Sequence, residues 1–277
     1  MSGHYTVLAT PAAQAAGAVA QTLASLPATF GPTAEGQPGP PDVLVVAGGP
    51  GWTAEALSAV AAGVRGVLVA NPVPEDATEL AGAADAAGTA VVLDLRWASN
   101  PALVGESTDV ADARDAVRSA VGTASLLDSV ATAAPATDPQ RLLGEHLAAL
   151  LAVTGPLDGV VVLRSDATGY TVGGRLANGA PFTAQGVLTA ARPAGVDIRL
   201  YTADGGVAVQ VPDPDAARPA EVRITGAHGE LLLPTLYESA HRFAWRRLKD
   251  HLGASTQPDD LAGFARLTDL YGTLAAT

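Results

Sequence analysis

DVLVVAGGPGWTAEALSAVAAGVRGVLVANPVPEDATELAGAADAAGTAVVLDLRWASNPAL, residues 42–103, alternates short apolar runs with longer Ala-rich segments. The runs Asp42–Ala47, Gly66–Ala70 and Thr89–Leu95 are too short for helices. They are rich in Val and Leu and bounded by turn residues, which predicts strands buried on both faces. Thr53–Ala62 and Glu75–Ala87, between them, predict helices. Strand followed by helix, repeated, argues for a parallel sheet with helices on its faces.

Toward the N-terminus, Tyr5–Thr10 reads as one more buried strand and Pro11–Leu26 as a helix, with proline at its first turn. Pro27–Pro41 (PATFGPTAEGQPGPP) carries five prolines and three glycines and reads as a loop. Toward the C-terminus, Asp109–Val121 predicts a helix and Ala124–Ala133 a strand. Asp138 and Pro139 then mark the start of an amphipathic helix ending near Thr154. Beyond Gly155, strands follow one another with hairpin signals at Asn178-Gly179 and Asp204-Gly205. Helices over Thr235–Leu252 and Pro258–Ala275 close the chain. The expected fold class is α/β plus α+β. A truncated Rossmann-like parallel-sheet domain (1–103) precedes a C-terminal α+β domain (104–277) with a large, mainly antiparallel sheet, and the last helix is free to pack back on the first domain. A one-layer sheet must cover its second face, so a homodimer or hetero-oligomer through it is expected.

The 277 residues suffice for a sizeable core, and 48% hydrophobic against 16% charged residues places the chain among globular proteins. Ala and Gly enrichment, with Arg far outnumbering the single Lys249, points to a high-GC genome such as an actinobacterium's. A net charge of −12 with scattered cations argues against nucleic acid as a partner. With no cysteine, disulfides, thiolate nucleophiles and Cys metal sites are excluded. The aspartates lack a metal-ligand spacing, so no metal is expected. Met1–Tyr5 lacks a signal-peptide pattern and no apolar run is long enough to span a bilayer, so a soluble, cytoplasmic protein without membrane contact is expected.

Several local patterns resemble the Gfo/Idh/MocA family of sugar and cyclitol dehydrogenases. They are Ala62-Gly63, Ala70-Asn71-Pro72 where that family has Glu-Lys-Pro, Ala84 to Gly88, and Arg96 with Pro101. Gly144-Glu-His146 through Thr154-Gly155 is similar to the family's catalytic helix, and Asn178 and the closing helix pair match its C-terminal part. The resemblance covers most of the chain from residue 42. It implies a nicotinamide dinucleotide over the first domain and a small-molecule substrate beside it.

The departures from that family are concentrated at its chemistry. Its first βα turn carries glycines that let the backbone approach a pyrophosphate. Here the turn reads Val7-Leu-Ala-Thr-Pro-Ala-Ala-Gln-Ala-Ala-Gly17, and Pro11 removes an amide donor. The next strand, which reads the ribose, gives way to the 27–41 loop. The proton-transferring lysine is Asn71, and the aspartate one turn before His146 is Leu142. The expected protein is therefore a degenerate relative that does not transfer hydride and needs no cofactor. It would be a biosynthetic partner or scaffold subunit, or a cofactor-independent acid/base enzyme using His146 as its catalytic group. The alternative is an NAD- or NADP-dependent oxidoreductase acting on a sugar- or cyclitol-like hydroxyl or ketone. Asn71, Pro72, Arg96, Trp97, Tyr237 and His241 are the candidate substrate-pocket residues, while no cofactor-binding residue is assigned. Tyr237, His241 and Trp245 fall on a helical stripe that suits a core or interface, and Gly48-Gly-Pro-Gly51 suits a structural turn more than an anion cradle.

Overall fold

A computed structural model of the chain describes residues 4–33, 39–104, 111–216, 218–235 and 237–275. The chain divides into two compact units, one of Met1–Ser99 with Ala240–Thr268 and the other of Asn100–Ser239 with Asp269–Thr277. The C-terminal contribution to the first unit thus begins with the first of the two closing helices.

In the first unit, strands β1 (Tyr5–Ala9), β2 (Phe30–Pro32), β3 (Val43–Ala47), β4 (Gly66–Ala70) and β5 (Ala90–Asp94) form a parallel sheet in the order β2-β1-β3-β4-β5. The order reverses beside β1, and open parallel sheets bind ligands off the carboxyl ends at such a switch point. Every residue of β4 and β5 is buried, as their unbroken apolar sequences require. Helix α3 (Trp52–Ala61) follows β3, and α4 (Thr78–Ala87) follows β4 and stops at Gly88 in the left-handed conformation. Helix α8 (Ala240–Ala254) packs on β4 and β5. Its Trp245, Leu248 and Leu252 join Val43, Val45, Leu68 and Val92 in one core. Each such side chain contributes roughly 1.5–3 kcal/mol on burial. Phe30 meets the Trp245 ring edge-on at 4.9 Å between centroids.

Two expectations fail here. The helix read over Pro11–Leu26 is broken into α1 (Pro11–Gly17) and α2 (Val19–Ser25) by Ala18, whose φ of 44° is left-handed. The second strand is not lost, because β2 pairs in parallel with β1 from within the Pro/Gly-rich stretch. Proline at its last position costs little there, since β2 is an edge strand.

The second unit begins with the short α5 (Pro101–Val104) and contains α6 (Ala111–Thr123); the expected helix start at Asp109 lies outside the described residues. Its sheet comprises β6 (Leu126–Ala133), β7 (Leu157–Asp166), β8 (Gly169–Leu176), β9 (Pro181–Leu188), β10 (Gly195–Thr202), β11 (Gly205–Pro212), β12 (Glu221–Gly226) and β13 (Gly229–Leu232). They run in the order β13-β12-β11-β10-β6-β9-β8-β7, antiparallel throughout except where β6 meets β9. Helix α7 (Pro139–Thr154) lies on one face of this sheet and buries Leu142, Leu147 and Leu150. Asp138 caps it by accepting from the Gln140 N–H at 3.0 Å. The outer face leaves Leu126, Val161, Leu163, Val187 and Tyr201 exposed. The final helix, α9 (Asp260–Ala275), sets Phe264 edge-on to Trp52 of α3. No described helix is long and apolar enough to cross a membrane.

Candidate functional site

The carboxyl edge of the parallel sheet gathers most of the candidate residues. Asn71 follows β4 directly and has a φ of 52°, a left-handed conformation that asparagine tolerates better than most residues. Its N–H donates to the Asp94 carbonyl at 2.8 Å. Its side-chain Nδ2 donates to the Ala16 carbonyl at 2.7 Å, tying the end of α1 to this edge. Oδ1 of the same amide is buried with no partner among the described residues. Pro72 is buried beside Gly48, where an added Cβ would stand 2.3 Å from the Pro72 Cα. Only glycine permits the turn after β3 to approach the turn after β4 so closely.

Asp94 ends β5 and is fully buried. Its Oδ2 accepts from Nδ1 of His241, itself 3% exposed, at 2.6 Å. Its Oδ1 has no partner among the described residues. Trp97, in the turn beyond β5, is fully buried, and its Nε1–H is likewise unpartnered. The Arg96 guanidinium lies over the Trp97 ring, 5.1 Å from its centroid. At the other end of the sheet, Thr33 follows β2, its N–H bonded to the Val7 carbonyl at 3.0 Å. Its Oγ1 is also buried and unpartnered among the described residues. Unmade hydrogen bonds of buried groups are uncommon and costly in native proteins. Here they recur at the carboxyl ends of β2, β4 and β5.

The turns that follow β1 and β3 are bonded within the protein, as expected of turns that cradle no phosphate. Thr10 caps α1 by accepting from the Ala13 N–H at 3.2 Å, and Pro11 has no N–H to offer. At the start of α3, the Gly51 N–H donates to Oε1 of Glu75 at 2.5 Å, and Thr53 Oγ1 donates to Oε2 at 3.2 Å. A side-chain carboxylate thus occupies the helix N-terminus that an external anion would use. The Gly48–Gly51 turn is structural, as its sequence suggested.

His146 lies in the second unit, midway along α7 and fully buried. Nε2 is 2.7 Å from Ser129 Oγ and Nδ1 is 2.9 Å from Tyr170 Oη. Ser129 Oγ can also donate to the Asp197 carbonyl at 3.0 Å and Tyr170 Oη to the Leu142 carbonyl at 3.3 Å, so a neutral ring donates to one hydroxyl and accepts from the other, and both nitrogens are engaged in either tautomer. Tyr170 reaches this position because its ring lies over Gly186, its cross-strand partner, where any Cβ would fall 2.1 Å from a ring carbon. Burial pushes the His146 pKa down to about 3 and the Tyr170 phenol well above its ordinary range. A neutral imidazole with both nitrogens engaged packs α7 onto the sheet and has no lone pair left for a substrate. The catalytic role expected of His146 is corrected on this geometry. Glu145 keeps only 10% of its side chain exposed and pairs with Arg141 at 3.1 Å. Leu142, where the resemblance implies an aspartate, is fully buried. Tyr237 precedes α8 and is 77% exposed, so it does not share a helical stripe with His241 and Trp245.

Sequence reading named Asn71, Pro72, Arg96, Trp97, His241, His146 and Tyr237, of which the first five lie in one unit and the last two in the other. It missed Asp94 and Thr33. The position of Asp94 as the lone acid closing an apolar strand was the available signal.

No protein-family model matches the chain, and no curated protein matches it significantly in sequence. Solved structures match it in fold. The D-galactose-1-dehydrogenase protein from Rhizobium etli is 16% identical with a TM-score of 0.67, over 98% of this chain and 95% of that one. A 3-ketoreductase from Actinomadura kijaniata, in complex with NADP, is 14% identical with a TM-score of 0.65 over 99% and 88%. A levoglucosan dehydrogenase in complex with NADH and L-sorbose is 11% identical, with a TM-score of 0.67 over 99% and 87%. These neighbours overturn two expectations, that of a scaffold or cofactor-free catalyst and that of a protein without a cofactor. Proteins sharing nearly the whole fold are dehydrogenases and a ketoreductase, and two of them hold nicotinamide dinucleotides.

Proposed function

From a chain that carries the fold of the Gfo/Idh/MocA-type oxidoreductases, we propose an NAD- or NADP-dependent oxidoreductase acting on the hydroxyl or ketone of a sugar- or cyclitol-like molecule. One observation carries the reading. Buried, unpartnered polar atoms stand at the carboxyl ends of β2, β4 and β5, on both sides of the topological switch point. These residues fit the sugar and ring portions of a dinucleotide. Thr33 Oγ1 stands just beyond β2, where a ribose hydroxyl is read, and Asn71 and Asp94 stand farther along the edge. The residues do not fit a glycine-cradled pyrophosphate, because Thr10, Pro11 and Glu75 close those positions. Affinity thus rests on the strand edge rather than on a glycine turn.

The nicotinamide ring supplies a hydride donor or acceptor, so the substrate carbon moves between alcohol and ketone levels. The chain's own residues bind and orient. Asp94 with His241 is the imidazole–carboxylate pair at this edge and holds a proton between Nδ1 and Oδ2. The Arg96 guanidinium, held over the buried Trp97 ring, adds a cation of the kind that suits a polyhydroxylated substrate. The reading includes a cytoplasmic protein that pairs with a second copy through the exposed outer face of the eight-stranded sheet. Sedimentation should show a dimer, reduced to monomer by Leu163→Glu.

Titration with NADH and NADPH, followed by nucleotide fluorescence or heat, tests the main claim. Saturable binding of at least one at micromolar concentration is expected. Absence of binding by both up to millimolar concentration would refute the reading.

A further inference from the structure

We propose that the second unit carries a binding site for a small organic oxyanion, a carboxylate or phosphate ester on an apolar body. The whole lining belongs to that unit, so the inference goes beyond the oxidoreductase reading and does not rest on it. A cavity of about 270 Å³ lies where β6 and β11 end and β10 and β12 begin. That volume is near the lower end for small-molecule sites. The pentapeptide Ala-Ala-Arg-Pro-Ala occurs twice in the chain, at 190–194 and 216–220, in the connections that lead into β10 and β12. Both copies bring their Arg-Pro pair, Arg192-Pro193 and Arg218-Pro219, to this one cavity. A residue before proline is held toward extended backbone, which narrows the directions each arginine can take. The two connections are also fastened. Thr132 Oγ1 donates to the Pro193 carbonyl at 2.8 Å, and the Asp213 N–H donates to the Ala194 carbonyl at 3.1 Å.

The acids of the lining are already engaged. Asp197 pairs with Arg199 at 3.2 Å and accepts from Gln210 Nε2 at 3.0 Å. Glu221 pairs with Arg223 at 2.7 Å, and Asp213 accepts the Asp215 N–H of its own turn at 3.0 Å. Arg192 and Arg218 are exposed, and neither guanidinium has a hydrogen bond or ion pair among the described residues. Acids outnumber bases 28 to 16 in the chain, so these two cations are not unpaired for want of carboxylates. A guanidinium fork matches the paired oxygens of a carboxylate or phosphate. Val130, Val211, Pro193, Pro212 and Pro219 supply an apolar wall for the rest of the molecule. A bare ion would leave that wall in water, whereas an anion carrying an apolar group covers it.

The test titrates the full chain with phenyl phosphate, benzoate, inorganic phosphate and benzyl alcohol, followed by amide NMR. Phenyl phosphate or benzoate should bind saturably, more tightly than inorganic phosphate and benzyl alcohol, and should shift the Gly195 amide and the Gln210 side-chain NH2. A tighter phenyl phosphate assigns a phosphate ester, and a tighter benzoate a carboxylate. Replacing both cations, Arg192→Ala with Arg218→Ala, should weaken the better probe by about 10-fold or more, as expected for losing charge-assisted hydrogen bonds. Arg266→Ala, which removes an exposed arginine from outside the cavity, should leave the affinity unchanged. Each single variant repeats the comparison should the double one not fold. Shifts that do not saturate at millimolar concentration would overturn the proposal. So would equal affinity of the cavity variants and the Arg266→Ala protein, or inorganic phosphate binding as tightly as the better probe.

Discussion

Acid should destabilise this protein through His146 in a way that can be isolated. The ring is fully buried between Ser129 and Tyr170, and its pKa falls from 6.5 to about 3 because burial disfavours the imidazolium. Below pH 6.5 the unfolded chain takes up a proton at this position and the native state does not. Stability from this source is fully present above pH 6.5, declines as pH falls, and stops declining near pH 3, where the native ring also protonates. The slope is about 1.4 kcal/mol per pH unit, so about 3 kcal/mol is lost by pH 4.5. Urea unfolding of the wild type and His146→Gln between pH 7.5 and 4.5 measures it, since every other titrating group is common to both proteins. The wild type should lose stability more steeply by about one proton's worth. Ring-nitrogen NMR of the native protein should show His146 neutral down to about pH 4. Parallel pH slopes, or a native pKa near 6.5, would refute the reading of His146 as a buried packing group.

Three further outcomes follow from the packing. Gly186→Ala should displace the Tyr170 ring, strain its bond to His146 and cost about 1–3 kcal/mol in urea unfolding. Asp260→Asn should cost about 3 kcal/mol, because Asp260 pairs with Arg247 at a site where their side chains are 9% and 13% exposed, and accepts the Leu93 N–H at 2.8 Å. Glu75→Gln should cost about 1 kcal/mol of thermal stability by removing the carboxylate from the start of α3, and salt should reduce the difference between the two proteins.

The fold was legible where its cause is local. Val43–Ala47, Gly66–Ala70 and Ala90–Asp94 announce themselves as strands because each is apolar throughout and bounded by turn residues. β2 was illegible because Phe30-Gly-Pro has no strand pattern; it exists because β1 offers an unpaired edge and Phe30 can bury against Trp245 of α8. The break at Ala18 was illegible for the opposite reason. An Ala-rich segment predicts unbroken helix, and the break is imposed from outside, where Asn71 ties the end of α1 to the sheet edge. Asn71 and His241 could be named as candidates from sequence, but their partners could not. Asp94 lies 147 residues from His241, and Asn71 bonds to a carbonyl 55 residues away.

The misreading of function has the same origin. A glycine fingerprint is a local signal, so its absence from Val7–Gly17 is plain in the sequence, but equating that absence with the absence of a cofactor treats the pyrophosphate turn as the whole site. A dinucleotide also presents ribose hydroxyls, a carboxamide and a ring, and the groups that could meet them come from separate strands. Thr33, Asn71 and Asp94 belong to three strands and form no motif, and their common property is an unmade hydrogen bond visible only after folding. Asp94, fully buried at the end of a strand otherwise made of Ala, Val and Leu, commits Oδ2 to His241 and leaves Oδ1 without a partner among the described residues. An unpaired buried polar group costs about 1–3 kcal/mol, which a group from outside the chain that bonds Oδ1 would recover. Asp94→Leu should abolish dinucleotide binding and also lower thermal stability, because it leaves the buried His241 ring without its carboxylate.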